Sequence, residues 1–600
     1  MSLQVKIKQG QEQVNKQVEK NTSLLDIISE SKMELESYCG GRGVCGKCRA
    51  VLQPAPPAKE QEEKILTQEE LDEGIRLACL HRVEKDIIVE IEEGGDISIL
   101  AGEEEVNTPV LNGWQRHYFE LEQPSLEDQR SYLTRILEQY NFEDANYQAV
   151  KDVESRREKG NLVVLGNEDK LMRVGNEDEL QRALGAAVDI GTTTVVIYLL
   201  DLETGRHLDV ESFYNPQKEM GADVISRIQS AREKEDGWKK MQKLLVDKIN
   251  EKLEIMVQNF SLHTDDIYRA VFAGNTVMQH GFLGVSSEDI ANSPFTPIFT
   301  EQLKLCPESV GLNIFPRGEV VVMPAISGYI GGDIVADMLA VDIAGDDNYN
   351  LLVDIGTNGE VALGNKEEIF ACSVAAGPSF EGGNIKEGMA ALPGAVDSFD
   401  VRRDDLSYTT IGSEKPRGIC GSGLLDLVAG LLRIGVITES GALAAADEMP
   451  SYWADRFERI DDVGHIKLFS QSEAGVERAI FFSQKDVRQL QLAKGAIRAG
   501  IEILMGEADI TSQNLNNVFL VGGFANYLDK EHACEIGMIP PELSDRINQA
   551  GNGAGAGARM MLLNKKLKKE AGEFKAKTKY LELSTSLQFQ EEFTEQMAFS

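Results

Sequence analysis

Val188-Asp189-Ile190-Gly191-Thr192-Thr193-Thr194 is flanked by Ala186 and Ala187 on one side and by the apolar run 195–200 on the other. The pattern is strand, tight turn, strand. An aspartate at such a turn suits the water shell of a Mg2+ ion. Gly191 lets backbone approach a phosphate, and Thr192 and Thr193 offer hydroxyl and N–H donors. One hairpin of this kind is a generic feature. The chain repeats it at 351–363, as Leu-Leu-Val-Asp354-Ile355-Gly356-Thr357-Asn358-Gly359 followed by Glu-Val-Ala-Leu. Two Asp-Ile-Gly-Thr turns, 165 residues apart, are an internal repeat and predict a duplicated phosphate-binding architecture.

The second repeat needs room for a nucleotide. Residues 518–526 supply a buried strand that ends in Gly522-Gly523, where an adenine ring can lie against backbone. The glycine-rich run 551–558 is less polar than a flexible linker, so it opens a tightly packed final helix. Before the second hairpin, Ser327-Gly328-Tyr329-Ile330-Gly331-Gly332-Asp333 leads into another helix. By position, Asp333 reads as a helix N-cap.

The first eighty residues carry different chemistry. Cys39, Cys45 and Cys48 follow a C-x5-C-x2-C pattern inside a glycine-rich loop, and Cys79 arrives 31 positions after Cys48. Four thiolates in this order are the layout of a plant-type [2Fe–2S] ferredoxin. Zinc sites usually pair two tight C-x2–4-C units, and here there is one. The spacing departs from plant ferredoxins, which have four residues between the first two cysteines. Residues 4–8 and 13–19 alternate like a hairpin, 24–28 suggest a short helix, Thr67–Glu70 reads as a capping box, and 86–91 as a closing strand.

Between these parts, residues 96–112 are acidic and glycine-containing and read as a linker. Residues 113–182 read as a small α+β middle domain, a spacer or a dimerisation unit that makes the chain a homodimer. Ser125-x-x-Asp128 is expected to cap a helix ending at Tyr140, and 161–165 with 171–174 to form a hairpin. The phosphate-binding part runs from 183 to 600, and its apolar tail is expected to pack back.

Six hundred residues, 42% hydrophobic and 26% charged, describe a multidomain globular chain. A net charge of −37 argues against nucleic-acid and anionic-membrane partners. No signal peptide and no spanning segment is evident, so a cytoplasmic location without membrane contact is expected. Cys306, Cys372, Cys420 and Cys534 are scattered and read as lone buried thiols.

The paired hairpins and the Gly522-Gly523 strand resemble the actin, hexokinase and heat-shock chaperone ATPases. The order of ferredoxin part, linker, middle domain and ATPase, together with the x5 cysteine spacing, resembles the reductive activators of corrinoid proteins across essentially the whole chain. The resemblance implies a β-grasp ferredoxin domain at 1–95 and an α/β ATPase with duplicated halves. It implies ATP and Mg2+ at Asp189, Gly191, Thr192, Thr193, Asp354, Gly356, Thr357, Asn358, Gly522 and Gly523, a water-orienting role for Asp333 with Asp223 as a second candidate, and cluster ligation by Cys39, Cys45, Cys48 and Cys79.

The function implied is ATP-dependent reduction of an inactive Co(II) corrinoid protein to Co(I) in methyl-transfer metabolism. An upstream low-potential donor would load the cluster. The corrinoid would belong to the partner, either a methyltransferase subunit or a corrinoid iron–sulfur protein. A plant-type cluster sits near about −400 mV. Each ~59 mV uphill costs a one-electron step a factor of ten, so an ATPase supplies the missing input. Two alternatives share parts of this chain. A metabolite kinase with a fused ferredoxin leaves the cluster without a role. Activators of radical dehydratases place their cluster cysteines inside the ATPase half, where Cys372 and Cys420 stand alone.

Overall fold

The computed structural model describes residues 2–9, 12–29, 31, 33, 35, 48–63, 65–66, 68–91, 106, 108–158, 161–221, 223–356 and 358–599. Cys39, Cys45, Thr67, Thr357 and most of the 96–112 linker lie outside them.

The N-terminal sheet contains β1 (Ser2–Gln9), β2 (Glu12–Glu19), β3 (Arg49–Gln53), β4 (Ile75–Leu77) and β5 (Ile87–Ile91). Its order is β2-β1-β5-β3-β4, with β1 and β5 parallel and the outer pairs antiparallel. Val5 and Ile7 alternate inward from β1 and pack with Leu24, Ile27 and Ile28 of the helix Leu24–Ser29. This is a β-grasp arrangement around a single small core.

The next unit contains β6 (Trp114–Glu120), β7 (Asp144–Ala145), β8 (Asn161–Asn167) and β9 (Lys170–Gly175), ordered β6-β8-β9-β7. The helices Tyr132–Tyr140 and Tyr147–Arg156 accompany them. Ser125 does not cap the first of these. The cap is Ser131, whose hydroxyl accepts the Thr134 N–H. Ser125 closes its own turn onto the N–H groups of Glu127 and Asp128, while Asp128 is taken by Arg130 and Arg135. The 161–175 hairpin turns at Glu168-Asp169 rather than at Gly166, which lies within β8. Just before this unit, Leu111 N–H donates to the Leu563 carbonyl at 2.8 Å, and the Asn112 amide donates to Leu202 O at 2.7 Å.

The remaining chain builds two sheets of matching topology. The first has β10 (Leu184–Ile190), β11 (Thr194–Asp201), β12 (His207–Tyr214), β13 (Ile267–Gly274), β14 (Leu303–Leu305) and β15 (Glu319–Val322). The second has β16 (Tyr349–Ile355), β17 (Gly359–Gly364) and β18 (Ile369–Val374). Two three-stranded sheets follow: β19 (Ala395–Val401), β20 (Leu406–Thr410) and β21 (Gly418–Ile419), then β22 (Phe457–Ile460), β23 (Val463–Phe469) and β24 (Ile480–Ser483). The second large sheet is completed by β25 (Leu515–Val521), β26 (Ile547–Gln549) and β27 (Thr578–Leu581).

Read from each meander, the orders are β12-β11-β10-β13-β15 and β18-β17-β16-β25-β26. In both, an antiparallel three-strand meander is extended by two parallel strands. One face of each sheet enters a shared core. Ala187, Val196 and Tyr198 come from the first sheet and Leu352, Ala362 and Val521 from the second. The helices Gly332–Ala340 and Gly553–Leu563 fill the space between. The outer faces are covered separately, the first by the helix Gly237–Gln258 and the second by Gly421–Arg433 and Gln484–Glu507.

The run opened by Gly553 is therefore an inner helix, and it is not the last; Leu567–Lys577 and Leu587–Glu595 follow. The tail does pack back. Phe599 is buried, and the Lys494 ammonium donates to Ala598 O. Cys372, Cys420 and Cys534 are buried free thiols, as expected, but Cys306 is exposed, at the N-cap of the short helix Pro307–Val310. Among the described residues no helix is long and apolar enough to cross a membrane.

Candidate functional site

Asp189 and Asp354 occupy equivalent positions, each one residue before the end of its sheet's first strand. Between them stands Asp333, near the start of the helix Gly332–Ala340. It is not the N-cap, a position held by Gly331; its Oδ1 accepts the Ile334 N–H at 2.9 Å. The three carboxyls share one electrostatic environment. Burial pushes Asp189 up to about 7, and the charge of Asp333 adds to this against a hydrogen bond from Asn552. Asp354 is pushed up to about 8 by burial, then by Asp333 and Asp189. Burial raises Asp333 to about 6.

Two further acids join them. Asp337 lies one helical turn after Asp333, is 1% exposed, and its Oδ2 has no hydrogen-bond partner among the described residues. Glu360 is directly opposite Asp354 in the second hairpin. Like charges in that arrangement repel. Burial and then Asp354 drive both of these carboxyls well above the ordinary range.

The hairpin turns are held from behind. In the first, Asn215 donates its side-chain amide to Gly191 O at 2.9 Å, Arg227 donates to Thr192 O at 2.6 Å, and Asn275 donates to the Thr192 hydroxyl at 3.0 Å. Asn215 and Arg227 are fully buried, while Thr193 is exposed. Bonds to backbone carbonyls leave the turn's N–H groups for a ligand. In the second, the Gly356 N–H bonds to Asn358 O at 3.1 Å. Asp223, the second candidate, is instead an N-cap in a capping box with Ser226.

Gly522 and Gly523 behave differently. Gly522 has φ +99, and a Cβ there would stand 2.5 Å from Asp354 Oδ1. Its role is to let the Asp354 carboxylate sit against the strand end. A Cβ at Gly523 would meet nothing within 4 Å. Gly522→Ala should therefore destabilise the ligand-free chain by about 1–3 kcal/mol. Gly523→Ala should leave its stability unchanged and weaken nucleotide binding if the ring lies there. Thermal unfolding and nucleotide titration of both variants check this; equal stability losses would contradict the distinction.

Asn552 ties the site to the inner helix. It caps Gly553–Leu563 through the Gly555 N–H, and its amide donates to Asp189 Oδ2 at 3.0 Å. Asn552, Asp337, Glu360, Asn215, Arg227 and Asn275 were not assigned roles from the sequence. Asp337 had a signal, its i+4 spacing from Asp333 on a helix. Asn215 and Asn275 head the short motifs Asn-Pro-Gln and Asn-Thr, but only the fold aims them at the first turn.

Five crowded carboxyls have a consequence for pH. Unperturbed carboxyls titrate near about 4. These hold their protons longer in the folded state than in the unfolded one. Stability of the ligand-free chain should therefore fall as pH rises from about 4 towards 8. The unfolding midpoint is expected to be lower at pH 8.5 than at pH 6, and Asp354→Asn should narrow that gap. A gap of unchanged size would remove Asp354 from this account.

In the N-terminal unit, Cys48 is buried and Cys79 half-exposed, with their sulfurs 3.2 Å apart. That separation is too long for a disulfide of about 2.05 Å. Metal–thiolate bonds run about 2.3 Å for zinc, so two ligands of one metal lie within about 4.6 Å. The pair therefore fits shared ligation of one iron.

Residues 7–84 match the 2Fe-2S iron-sulfur cluster binding domain, 184–346 the RACo middle region, and 348–600 the C-terminal ASKHA domain of RACo. The fold and these matches define an actin-like ATPase fused to a [2Fe–2S] ferredoxin domain. A solved reductive activator for a corrinoid, iron–sulfur protein superposes with TM-score 0.72 at 32% identity, covering 99% of this chain and 98% of that one. The corrinoid activation enzyme RamQ of Eubacterium limosum is 29% identical over 96% of both chains. A Methanosarcina barkeri reductase of the Co(II) methylated amine-specific corrinoid protein is 28% identical over 64% of this chain and 70% of its own. The chain belongs to the family of reductive activators of corrinoid proteins.

Proposed function

We propose that this protein reduces the inactive Co(II) form of a corrinoid protein to Co(I) in methyl-transfer metabolism, with ATP supplying the drive. Its end-to-end similarity to an activator of a corrinoid, iron–sulfur protein carries the reading. The joint presence of a thiol pair and a duplicated carboxylate site supports it. Cys39, Cys45, Cys48 and Cys79 would hold the cluster, which takes and gives one electron at a time. An upstream low-potential donor supplies that electron, and the cobalt is the partner's.

Nucleotide phosphates would lie between the Thr192–Thr193 and Gly356–Asn358 turns. Among the described residues no three His, Cys, Asp or Glu side chains converge to chelate a metal. Mg2+ is usually held by one or two carboxylates, waters and substrate phosphates. Asp189 and Asp354 are the residues to hold it, and its charge would relieve their mutual repulsion. Asp333 would orient the attacking water. Closure of the halves on ATP changes the affinity for the corrinoid partner, and a difference in affinity between two states is what moves an equilibrium. A cytoplasmic location and a homodimer fit this reading.

The test is visible spectroscopy of an anaerobic mixture of this protein, a low-potential reductant and a corrinoid protein, with and without Mg-ATP. A Co(I) band that grows only with ATP is expected. No such band with either a methyltransferase corrinoid subunit or a corrinoid iron–sulfur protein would overturn the reading.

A further inference from the structure

Glu62 lies in the short helix Glu60–Glu63 of the ferredoxin domain and is 0% exposed. Its carboxylate is fully engaged. The Leu77 N–H donates to it at 2.7 Å, the Lys59 N–H at 2.8 Å, and His81 Nε2 lies 2.9 Å from both oxygens. Leu77 and His81 stand two residues before and two residues after Cys79. The Lys59 ammonium donates to the Leu80 carbonyl, and the Ala78 N–H donates to the Cys48 carbonyl at 2.8 Å. One buried carboxylate thus grips both ends of the turn that presents Cys79, and that turn is bonded to the other described ligand.

A neutral glutamine would satisfy most of these donors. A buried charge costs more to place and needs a reason. Burial alone pushes the Glu62 carboxyl up, but His81 and the two N–H groups outweigh it and hold it below the ordinary range. The group is an anion at neutral pH. Charge and hydrogen bonds around such a cluster set its potential.

We infer that Glu62 is a positioning residue for the cluster: it fixes the Cys79 turn and places a permanent negative charge behind it, so that the cluster accepts an electron less readily and donates it more readily. Reduction adds one electron and one negative charge to the cluster, and a fixed anion nearby opposes that. A stronger donor is what the transfer to cobalt requires. The inference rests on the reading of the four cysteines as cluster ligands.

The test is a redox titration of the full-length protein at pH 8.5, followed by visible absorption and by the EPR signal of the reduced cluster. Wild type, Glu62→Gln and His81→Leu are compared. Glu62→Gln keeps the shape and an acceptor for Leu77 while removing the charge. It should shift the reduction equilibrium three- to tenfold towards the reduced form, tenfold being about 59 mV for one electron. His81→Leu removes the side-chain donor that screens the carboxylate, and should shift the equilibrium the opposite way. Three reduction equilibria within twofold of one another, with the cluster retained, would overturn the inference and leave Glu62 a purely structural group. If Glu62→Gln assembles no cluster, His81→Leu decides: a potential equal to or above that of wild type overturns it. Wild type without a [2Fe–2S] spectrum is a separate outcome, and refutes the cluster reading itself.

Discussion

Asp354→Asn should lower ATP-dependent Co(I) formation by about 100-fold or more and leave the cluster and its reduction by dithionite intact. Removing one preorganised electrostatic group from an active site costs about 10²–10³ in rate. Asn keeps the volume and an acceptor oxygen but not the charge that a Mg-nucleotide requires. The neighbours sharpen the effect. Asp354 faces Glu360 across its hairpin and rests against Gly522, so the substitution disturbs neither packing nor backbone. Its loss of like-charge repulsion should stabilise the ligand-free fold, in line with the pH argument. A variant that is more stable yet inactive with ATP separates catalysis from folding. Undiminished ATP-dependent reduction would take Asp354 out of the ATP site.

Gly557→Val should be as damaging without touching the nucleotide. Gly557 is where the two inner helices meet: a Cβ there would lie 2.1 Å from Ala336 O and 2.6 Å from Ala336 Cα. Backbone atoms cannot yield as a flexible side chain does. One turn earlier, a Cβ at Gly553 would lie 2.3 Å from Asp337 Oδ1. A branched side chain at 557 must push the helices apart, at a cost of about 1–3 kcal/mol or more. The same displacement moves Asp333 and Asp337 on one helix and Asn552 with its Asp189 bond on the other. A lowered unfolding midpoint and loss of ATP-dependent reduction are expected, with a normal cluster spectrum. A variant with wild-type activity would mean that this helix contact does not set the site.

What could be read from the residues alone follows from where each signal resides. Asp-Ile-Gly-Thr is a local motif; a tight turn after a buried strand leaves few other readings, and its repetition announced the duplicated halves. The cysteine spacing is equally local. Asn552 is different. Nothing near it in sequence points to Asp189, because the bond spans 363 positions and exists only once the inner helix is docked. Glu360 looked like an ordinary strand residue until the hairpin register set it opposite Asp354. Ser125 fitted a capping pattern as well as Ser131 does, and the choice was made by Arg130 and Arg135, which claim Asp128 for ion pairs.

The attachment of Leu111 and Asn112 to Leu563 and Leu202 has a geometric corollary. The ferredoxin sheet ends at Ile91, and the chain is anchored again at Leu111, on the helix whose first turn carries Asn552. A polypeptide spans at most about 3.3–3.6 Å per residue. Ile91 is therefore leashed to within roughly 70 Å of a fixed post on the ATPase, and any cobalt the cluster serves must be brought within that reach plus the breadth of the ferredoxin domain.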